Sequence, residues 1–383
     1  MVDFDDLDEL EVSEQVQEDK YEDTEVKGIS IGIIGVGQGG NRLAESFYNL
    51  GYRKVILFNT TEKDLQGLSV PRKHWVVAKD VEGAGKNPSI GEKAAKSVIP
   101  DLIKKMNVIF KNVTNIIICV GAGGGSGTGA CGVFADTCCQ WIYQNLGDYS
   151  KTKVGFLVAL PARSESSKVL SNTKFLLDSI LKEKYSPIIF VDNQRITQAV
   201  KANALNRWSQ ANKLVCSLFD VFNTLSAQET SLDTFDPKDF SDVLSHGIMT
   251  MAISSVPESS LRIGEDGELA RDTILSDKVK STLKNSLLLQ DVDISTATHA
   301  SVLISCRKKA LEQMDGNTIP KLSETLLSMM GSEMNKQVTL HRGIYLREGD
   351  EDSKIRIFLM FSGMSFPESK LLEYENARKL VNE

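Results

Sequence analysis

Nine consecutive positions hold six glycines, two hydroxyl residues and one alanine, Gly121-Ala122-Gly123-Gly124-Gly125-Ser126-Gly127-Thr128-Gly129. Backbone stripped of side chains brings its N–H groups close to an anion, and glycine reaches the turns such a loop needs. The apolar run Ile116 to Val120 precedes the glycines, and Ala130 to Leu146 reads as a helix behind them. A strand that ends in glycines and opens a helix presents unpaired N–H groups and about half a positive charge to phosphate. Ser126 and Thr128 add hydroxyls that donate to phosphate or contact a metal. A flexible linker, the other use of such glycines, seldom sits between a buried strand and a helix without a spacer.

Two further loops invite the same reading. Gly35-Val36-Gly37-Gln38-Gly39-Gly40-Asn41 matches G-x-G-x-x-G through Gly35, Gly37 and Gly40. A dinucleotide site also wants an acid about 20 residues on, to hold the ribose. Asn59 and Thr60 occupy that place, with Glu62 just beyond. The pattern G-x-x-x-x-G-K-[ST] is absent, which removes a P-loop NTPase. The loop Gly83-Ala84-Gly85-Lys86-Asn87-Pro88-Ser89-Ile90-Gly91 again leads into a helix, with Lys86 available to a phosphate; taken alone it is also a turn rich in Gly and Pro. Two phosphate-facing loops suit a nucleoside triphosphate better than a nicotinamide cofactor.

The elements that must position these loops alternate. Strands are expected at 29–34, 54–58, 75–78, 116–120, 154–160 and 188–191, with helices at 41–50, 91–110, 130–146 and 168–182. Near-continuous apolar strands alternating with helices predict a parallel sheet covered on both faces. A long helix over 200–226 carries the apolar stripe Leu205, Trp208, Val215, Leu218, Phe219, Phe222 and Leu225. Beyond it, strands at 248–254, 300–305, 338–346 and 354–361 and helices at 267–289, 319–330 and 367–381 predict a smaller α+β unit. The predicted fold class is α/β: a parallel-sheet nucleotide-binding domain joined by a long central helix to a smaller α+β domain with a mixed sheet. The expected divisions are an acidic tail over 1–27, the nucleotide domain over 28–200, the central helix over 201–230, the second domain over 231–366 and a C-terminal helix over 367–383.

Composition agrees with that division. A chain of 383 residues exceeds one comfortable hydrophobic core. Hydrophobic residues make up 41% and charged residues 25%, as in a soluble globular protein. No apolar run approaches the roughly 20 residues that span a bilayer, and the acidic N-terminus lacks a signal-peptide pattern, so a cytoplasmic protein without a membrane segment is expected. Residues 1–27 hold twelve Asp or Glu against two Lys, a net of −10, whereas the whole chain carries −7. The tail is expected to be disordered. The body, at about +3, gives no reason to expect direct nucleic-acid binding. Six cysteines without a C-x-x-C pair read as reduced core residues. The four histidines, His74, His246, His299 and His341, are scattered along the sequence, so no metal site is expected from them.

The order of the loops resembles the tubulin/FtsZ superfamily of GTP-dependent filament formers. Gly123-Gly124-Gly125-Ser126-Gly127-Thr128-Gly129 is similar to that superfamily's GGGTGTG-type signature. Gly37-Gln38-Gly39-Gly40-Asn41 resembles the first phosphate loop in its tubulin-like form, and Asn59-Thr60 resembles the second. The run from Gly83 to Gly91, with Gly85, Lys86 and Asn87, is similar to the GAGxNPxxG loop of FtsZ. Motifs cover about 28–260 and architecture covers the rest. The resemblance implies GTP or GDP as ligand, with Mg²⁺. It places Glu165 on the ribose, and Asn193 and Asn212 on the guanine, whose edge suits a side chain that both donates and accepts. Where FtsZ carries a basic residue four positions after Glu165, this chain has Val169, with Lys168 adjacent. Trp208, one turn before Asn212, is within reach of a base but is expected in the core.

The resemblance also implies hydrolysis between subunits, with acids from one copy meeting the nucleotide of the next. Asp239 and Asp242 match the two acids of the FtsZ pattern NxDxxD, and Pro237 stands where the Asn would be. Such carboxylates orient or deprotonate water while Mg²⁺ offsets phosphate charge; Asp242 as the cap of a following helix is the structural alternative. The implied partner is the chain itself, as a head-to-tail homopolymer. Gln38, the C-terminal helix in place of a long linker and docking peptide, and the divergent second domain are more similar to the plasmid and phage tubulins. That branch implies DNA segregation or positioning through a DNA-binding adaptor protein. An FtsZ- or CetZ-like division or cell-shape filament is the alternative, and a non-polymerising regulator or NAD-binding enzyme is the third.

Overall fold

The computed structural model describes residues 21–79, 81–148, 150–199, 206–260, 281–282, 288–314, 318–334, 338–348 and 353–382. The first half runs β1 (Ile31–Val36), α1 (Gly37–Asn49), β2 (Val55–Asn59), β3 (Trp75–Val77), α2 (Pro88–Ser97), α3 (Ile99–Ile109), β4 (Asn115–Gly121), α4 (Gly125–Leu146), β5 (Val154–Leu160), α5 (Ser167–Ile180), β6 (Ile188–Asp192) and α6 (Asn193–Ala199). The second runs α7 (Arg207–Leu225), α8 (Pro237–Leu244), β7 (Ile248–Pro257), β8 (His299–Arg307), α9 (Lys308–Gln313), α10 (Thr318–Glu333), β9 (Thr339–Arg347), β10 (Lys354–Met364) and α11 (Glu368–Asn382).

The strands join one sheet in the order β3-β2-β1-β4-β5-β6-β7-β10-β8-β9. From β3 to β7 every neighbour is parallel. β10 then runs antiparallel to both β7 and β8, and β9 pairs parallel with β8. The parallel and mixed halves, expected as two domains, thus share a continuous sheet. Its waist is β6 against β7, which meet through Ile188↔Ile248 and Ile189↔Met249.

Period-2 strands put successive side chains on opposite faces, and both faces are covered. In β4, Ile116, Ile118 and Val120 join the layer under α2 to α5, α10 and α11. Ile117 and Cys119 join the layer under α1, α7 and α8. α7 spans that second layer: Phe219 meets Phe47 of α1 edge-on at 5.7 Å and Phe240 of α8 at 5.6 Å. No described helix is long and apolar enough to cross a membrane.

Several elements differ from expectation for local reasons. The helix expected over 91–110 is two helices broken at Val98. Pro100 lacks an N–H and its ring crowds the carbonyl of the preceding turn. α4 begins at Gly125 rather than near Ala130, so the last glycines of the run form its first turns. Residues 21–27, expected in a disordered tail, are tied to the body: Arg53 N donates to Asp23 Oδ1 at 2.8 Å, and Lys27 Nζ lies 2.7 Å from Asp220 Oδ1. The rest of that tail, most of the helix expected over 267–289, and Leu205 at the head of the central helix lie outside the described residues.

Candidate functional site

β1 and β4 lie side by side, with Val36 paired to Val120. The chain leaves β1 for β2 on one side, and β4 for β5 on the other. Ligands of open α/β sheets sit in the crevice that such a reversal creates at the strands' carboxyl ends. α1 and α4 both start there. Neither Val36 nor Gly124, their N-cap residues, offers a side-chain cap, and neither helix has an acid in its first turn. Two other helices do carry side-chain caps: Ser89 N donates to Asn87 Oδ1 at the start of α2, and Asp236 caps α8. With no side-chain cap, the leading N–H groups of α1 and α4 are open to an acceptor in the crevice, at two positive dipole ends facing it.

The loops hold this opening in shape through close backbone approach. Gly37 has φ +70°, and a Cβ there would lie 2.9 Å from Gly127 N. Gly123 has φ +94°, and a Cβ there would lie 2.4 Å from Val169 Cγ1. Val169 is accordingly a buried floor beneath the glycine loop. Gly123 N donates to Thr128 Oγ1 at 3.2 Å, and the Thr60 and Ser126 hydroxyls meet at 2.7 Å. Asn59 accepts from Thr60 N at 2.8 Å and donates to Asp64 at 3.0 Å. Asn172 of α5 donates to Lys86 O at 2.9 Å and to Gly123 O at 3.0 Å, tying two of the loops together. Lys86 itself has φ +59°, a conformation that non-glycine residues rarely adopt.

Together these loops enclose a cavity of about 560 Å³, within the range of sites for small molecules and cofactors. Among the expected residues, Gly37, Gln38, Gly39, Asn59, Thr60, Gly85, Lys86, Gly123, Gly124, Gly125, Ser126, Gly127, Glu165, Asn193 and Asn212 line it. The remaining five expected loop residues pack behind its wall. Gly40 lets α1 approach β4, since a Cβ there would meet Cys119 O at 2.0 Å; Gly129 does the same for α4 against Pro88 O at 1.9 Å. Asn41 is buried and donates to Phe58 O at 3.0 Å, pinning α1 to β2. Asn87 is a helix cap and Thr128 braces the glycine loop.

Sequence reasoning missed Arg42 and Asp64, which also line the cavity, and Asn172 behind it. Arg42 directly follows the first glycine loop and is the most readable of the three. Trp208, expected in the core, is 41% exposed and stands on the cavity wall. It lies in the first turn of α7, ahead of the part of the stripe that the sheet covers.

Asp239 and Asp242 do not line this cavity. Both sit in α8, which starts at Pro237, so Asp242 is no helix cap. Asp236 is the cap, with Asp239 closing the reciprocal capping box: Asp239 N donates to Asp236 Oδ1 at 2.9 Å, and Asp236 N to Asp239 Oδ2 at 3.2 Å. Proline suits the first helical position, where no N–H is needed. Three of the four histidines that look scattered in sequence gather around these acids. His341 of β9 spans both carboxylates, with Nδ1 3.0 Å from Asp239 Oδ1 and Nε2 3.1 Å from Asp242 Oδ2. His299 Nε2 is 3.6 Å from Asp242 Oδ2, and the His299 ring stacks on His246 at 3.5 Å. Burial and the neighbouring His246 hold His299 below the usual histidine pKa.

Comparison with known proteins agrees with this geometry. The chain is 25% identical over 351 residues to the cell division protein FtsZ 1 of Thermococcus kodakarensis, covering 90% of this chain and 83% of that one. Its fold matches the GTPγS-bound protofilament of CetZ2 from Haloferax volcanii, with a TM-score of 0.73 at 18% identity over 93% of this chain and all of that one. It also matches the GTPγS-form protofilament of TubZ from Bacillus thuringiensis serovar israelensis, with a TM-score of 0.71 at 19% identity over 94% and 93%. At such identities the two structural likenesses carry the fold alone. The stretch from β1 through α6, which builds the cavity's glycine loops, is similar to a known family directly: residues 30–201 match the Tubulin/FtsZ family, GTPase domain.

Proposed function

We propose that this chain binds GTP between α1 and α4 and hydrolyses it when a second copy, stacked head to tail, presents α8 to the terminal phosphate. The observation that carries this reading is the separation, within one chain, of the anion cradle from the paired carboxylates Asp239 and Asp242. The triphosphate fits the uncapped N-termini of α1 and α4, with Lys86 as counter-charge. Asn193 and Asn212, on the same cavity wall as Trp208, suit the guanine edge, and Glu165 suits the ribose.

Oxygen ligands suit Mg²⁺. Asp64, which lines the same cavity as Thr60 and Ser126, is the group that would hold it. Bound with GTP, the ion would offset the phosphate charge. The incoming carboxylates orient the attacking water and accept its proton. Because the acids arrive from another copy, turnover per subunit should rise with protein concentration from nanomolar to micromolar. A constant rate per subunit across that range would refute hydrolysis between copies.

For the filament's cellular role we favour DNA segregation through a DNA-binding adaptor, on the Gln38-bearing loop and the fold shared with TubZ. The FtsZ 1 match across 90% of the chain supports division as the second reading. Co-pelleting of the GTP-assembled chain with a small DNA-binding protein encoded beside it separates the two.

A further inference from the structure

We propose that Asp242, His246 and His299 form a binding site for a divalent transition-metal ion of the zinc class. Its ligands come from the last turn of α8, the residue pair beyond it, and the first residue of β8. One ring nitrogen of each histidine and a carboxylate oxygen of Asp242 lie within 4.8 Å of one another, and no other trio of His, Cys, Asp or Glu does so among the described residues. A tetrahedral ion with bonds near 2.0–2.2 Å sets its ligand atoms about 3.4 Å apart. His299 Nε2 and Asp242 Oδ2 stand 3.6 Å apart, too far for a good hydrogen bond and close to the span across such an ion.

The surrounding contacts orient these ligands, as hydrogen-bond partners of metal-bound histidines do. His246 Nδ1 donates to the Asp242 carbonyl at 2.7 Å, which leaves the lone pair on Nε2. His299 Nδ1 lies 2.9 Å from Thr298 Oγ1, and in the tautomer that donates to that hydroxyl its Nε2 is the lone pair. Thr298 reaches this place because β10 bulges at Gly363, where a Cβ would fall 2.0 Å from Thr298 Oγ1. His341 Nε2 reaches the same Asp242 oxygen, Oδ2, at 3.1 Å and holds the carboxylate in place. The histidine rings stack with 20° between their planes, so one ring must rotate out of the stack for both in-plane lone pairs to converge on the ion. Asp242, at 41% side-chain exposure, leaves the site open to solvent. Two imidazoles and a carboxylate favour Zn²⁺, Co²⁺ or Ni²⁺ over Mg²⁺ or Ca²⁺, which prefer oxygen. Three protein ligands leave a position for water or for a group on a second copy.

Occupancy would engage the Asp242 oxygen and withdraw it from the hydrolysis proposed above; this consequence rests on that reading, whereas the site does not. The test titrates nucleotide-free full-length chain with Co²⁺ and follows its visible d–d absorption. One saturable site is expected, displaced by Zn²⁺ but not by a large excess of Mg²⁺. Both His246→Ala and His299→Gln should weaken it by at least about tenfold, while binding of GDP and the circular dichroism spectrum stay unchanged. Absence of a saturable spectrum in the wild type, displacement by Mg²⁺, or an undiminished spectrum in both folded variants would overturn the site. If the site loads but saturating Zn²⁺ leaves GTP hydrolysis untouched, the role given to Asp242 fails and the metal site stands.

Discussion

At the scale of residues, the nucleotide cavity is made by what is missing as much as by what is present. Gly37 and Gly123 combine a positive φ with a neighbour that occupies the place of a Cβ, so any side chain there both strains the backbone and parts the loops. Gly37→Ala is expected to lower GTP affinity at least tenfold, about 1.4 kcal/mol, measured by fluorescence of a labelled nucleotide. Gly132→Ala, on the open side of α4 with nothing within 4 Å, should leave affinity unchanged and raise stability by about 0.5–1 kcal/mol. The glycine loops were legible in sequence because glycine spacing reports backbone demands directly. Asn172 was not, because its hydrogen bonds to Lys86 O and Gly123 O join positions 86 and 49 residues away, and nothing local distinguishes it from any helical Asn. The histidines were illegible for the same reason: β8 and β9 bring His299 and His341 to α8 only once the sheet is ordered.

At the scale of elements, the parallel strands and their helices could be read from apolar runs and period, and boundaries shifted where one residue overrode the pattern, as Pro100 does between α2 and α3. The seating of α11 could not be read. It packs on α5, where Arg378 pairs with Asp178 at 2.9 Å, and on the loop before it, where Arg163 pairs with Glu373 at 3.2 Å. Its anchor is Lys370, which meets Asp192 at the end of β6 at 2.5 Å, with both side chains 3% exposed or less. Removing one partner of a buried pair leaves an uncompensated charge, a loss of roughly 3–5 kcal/mol. Lys370→Met should therefore lower the unfolding free energy by that order in a urea titration. Because Asp192 precedes Asn193 on the cavity wall, the same variant should also weaken guanine-nucleotide binding. Full retention of both would show that α11 is not coupled to the cavity.

At the scale of the whole molecule, a single sheet carries the cradle at the carboxyl ends of its parallel strands β1 and β4 and the α8 acids beside its mixed strands. α7 lies across the face between them. The sequence suggested two domains joined by a helix; the shared sheet depends on β6 and β7 meeting through two residue pairs, which no local pattern announces. All six cysteines are buried in the two core layers, and burial raises every thiol's pKa, Cys139 and Cys306 to about 11. None should react with a disulfide reagent at neutral pH until the chain is denatured, when six should; rapid labelling of the native chain would contradict this packing. The central claim is that one copy's cavity and another copy's acids make a single active site. Mixing Asp242→Ala, whose cavity is intact, with Gly37→Ala, whose acids are intact, tests it most directly through phosphate release from GTP. The account predicts that the mixture hydrolyses GTP well above the sum of the two variants measured alone. A rate no greater than that sum would contradict it.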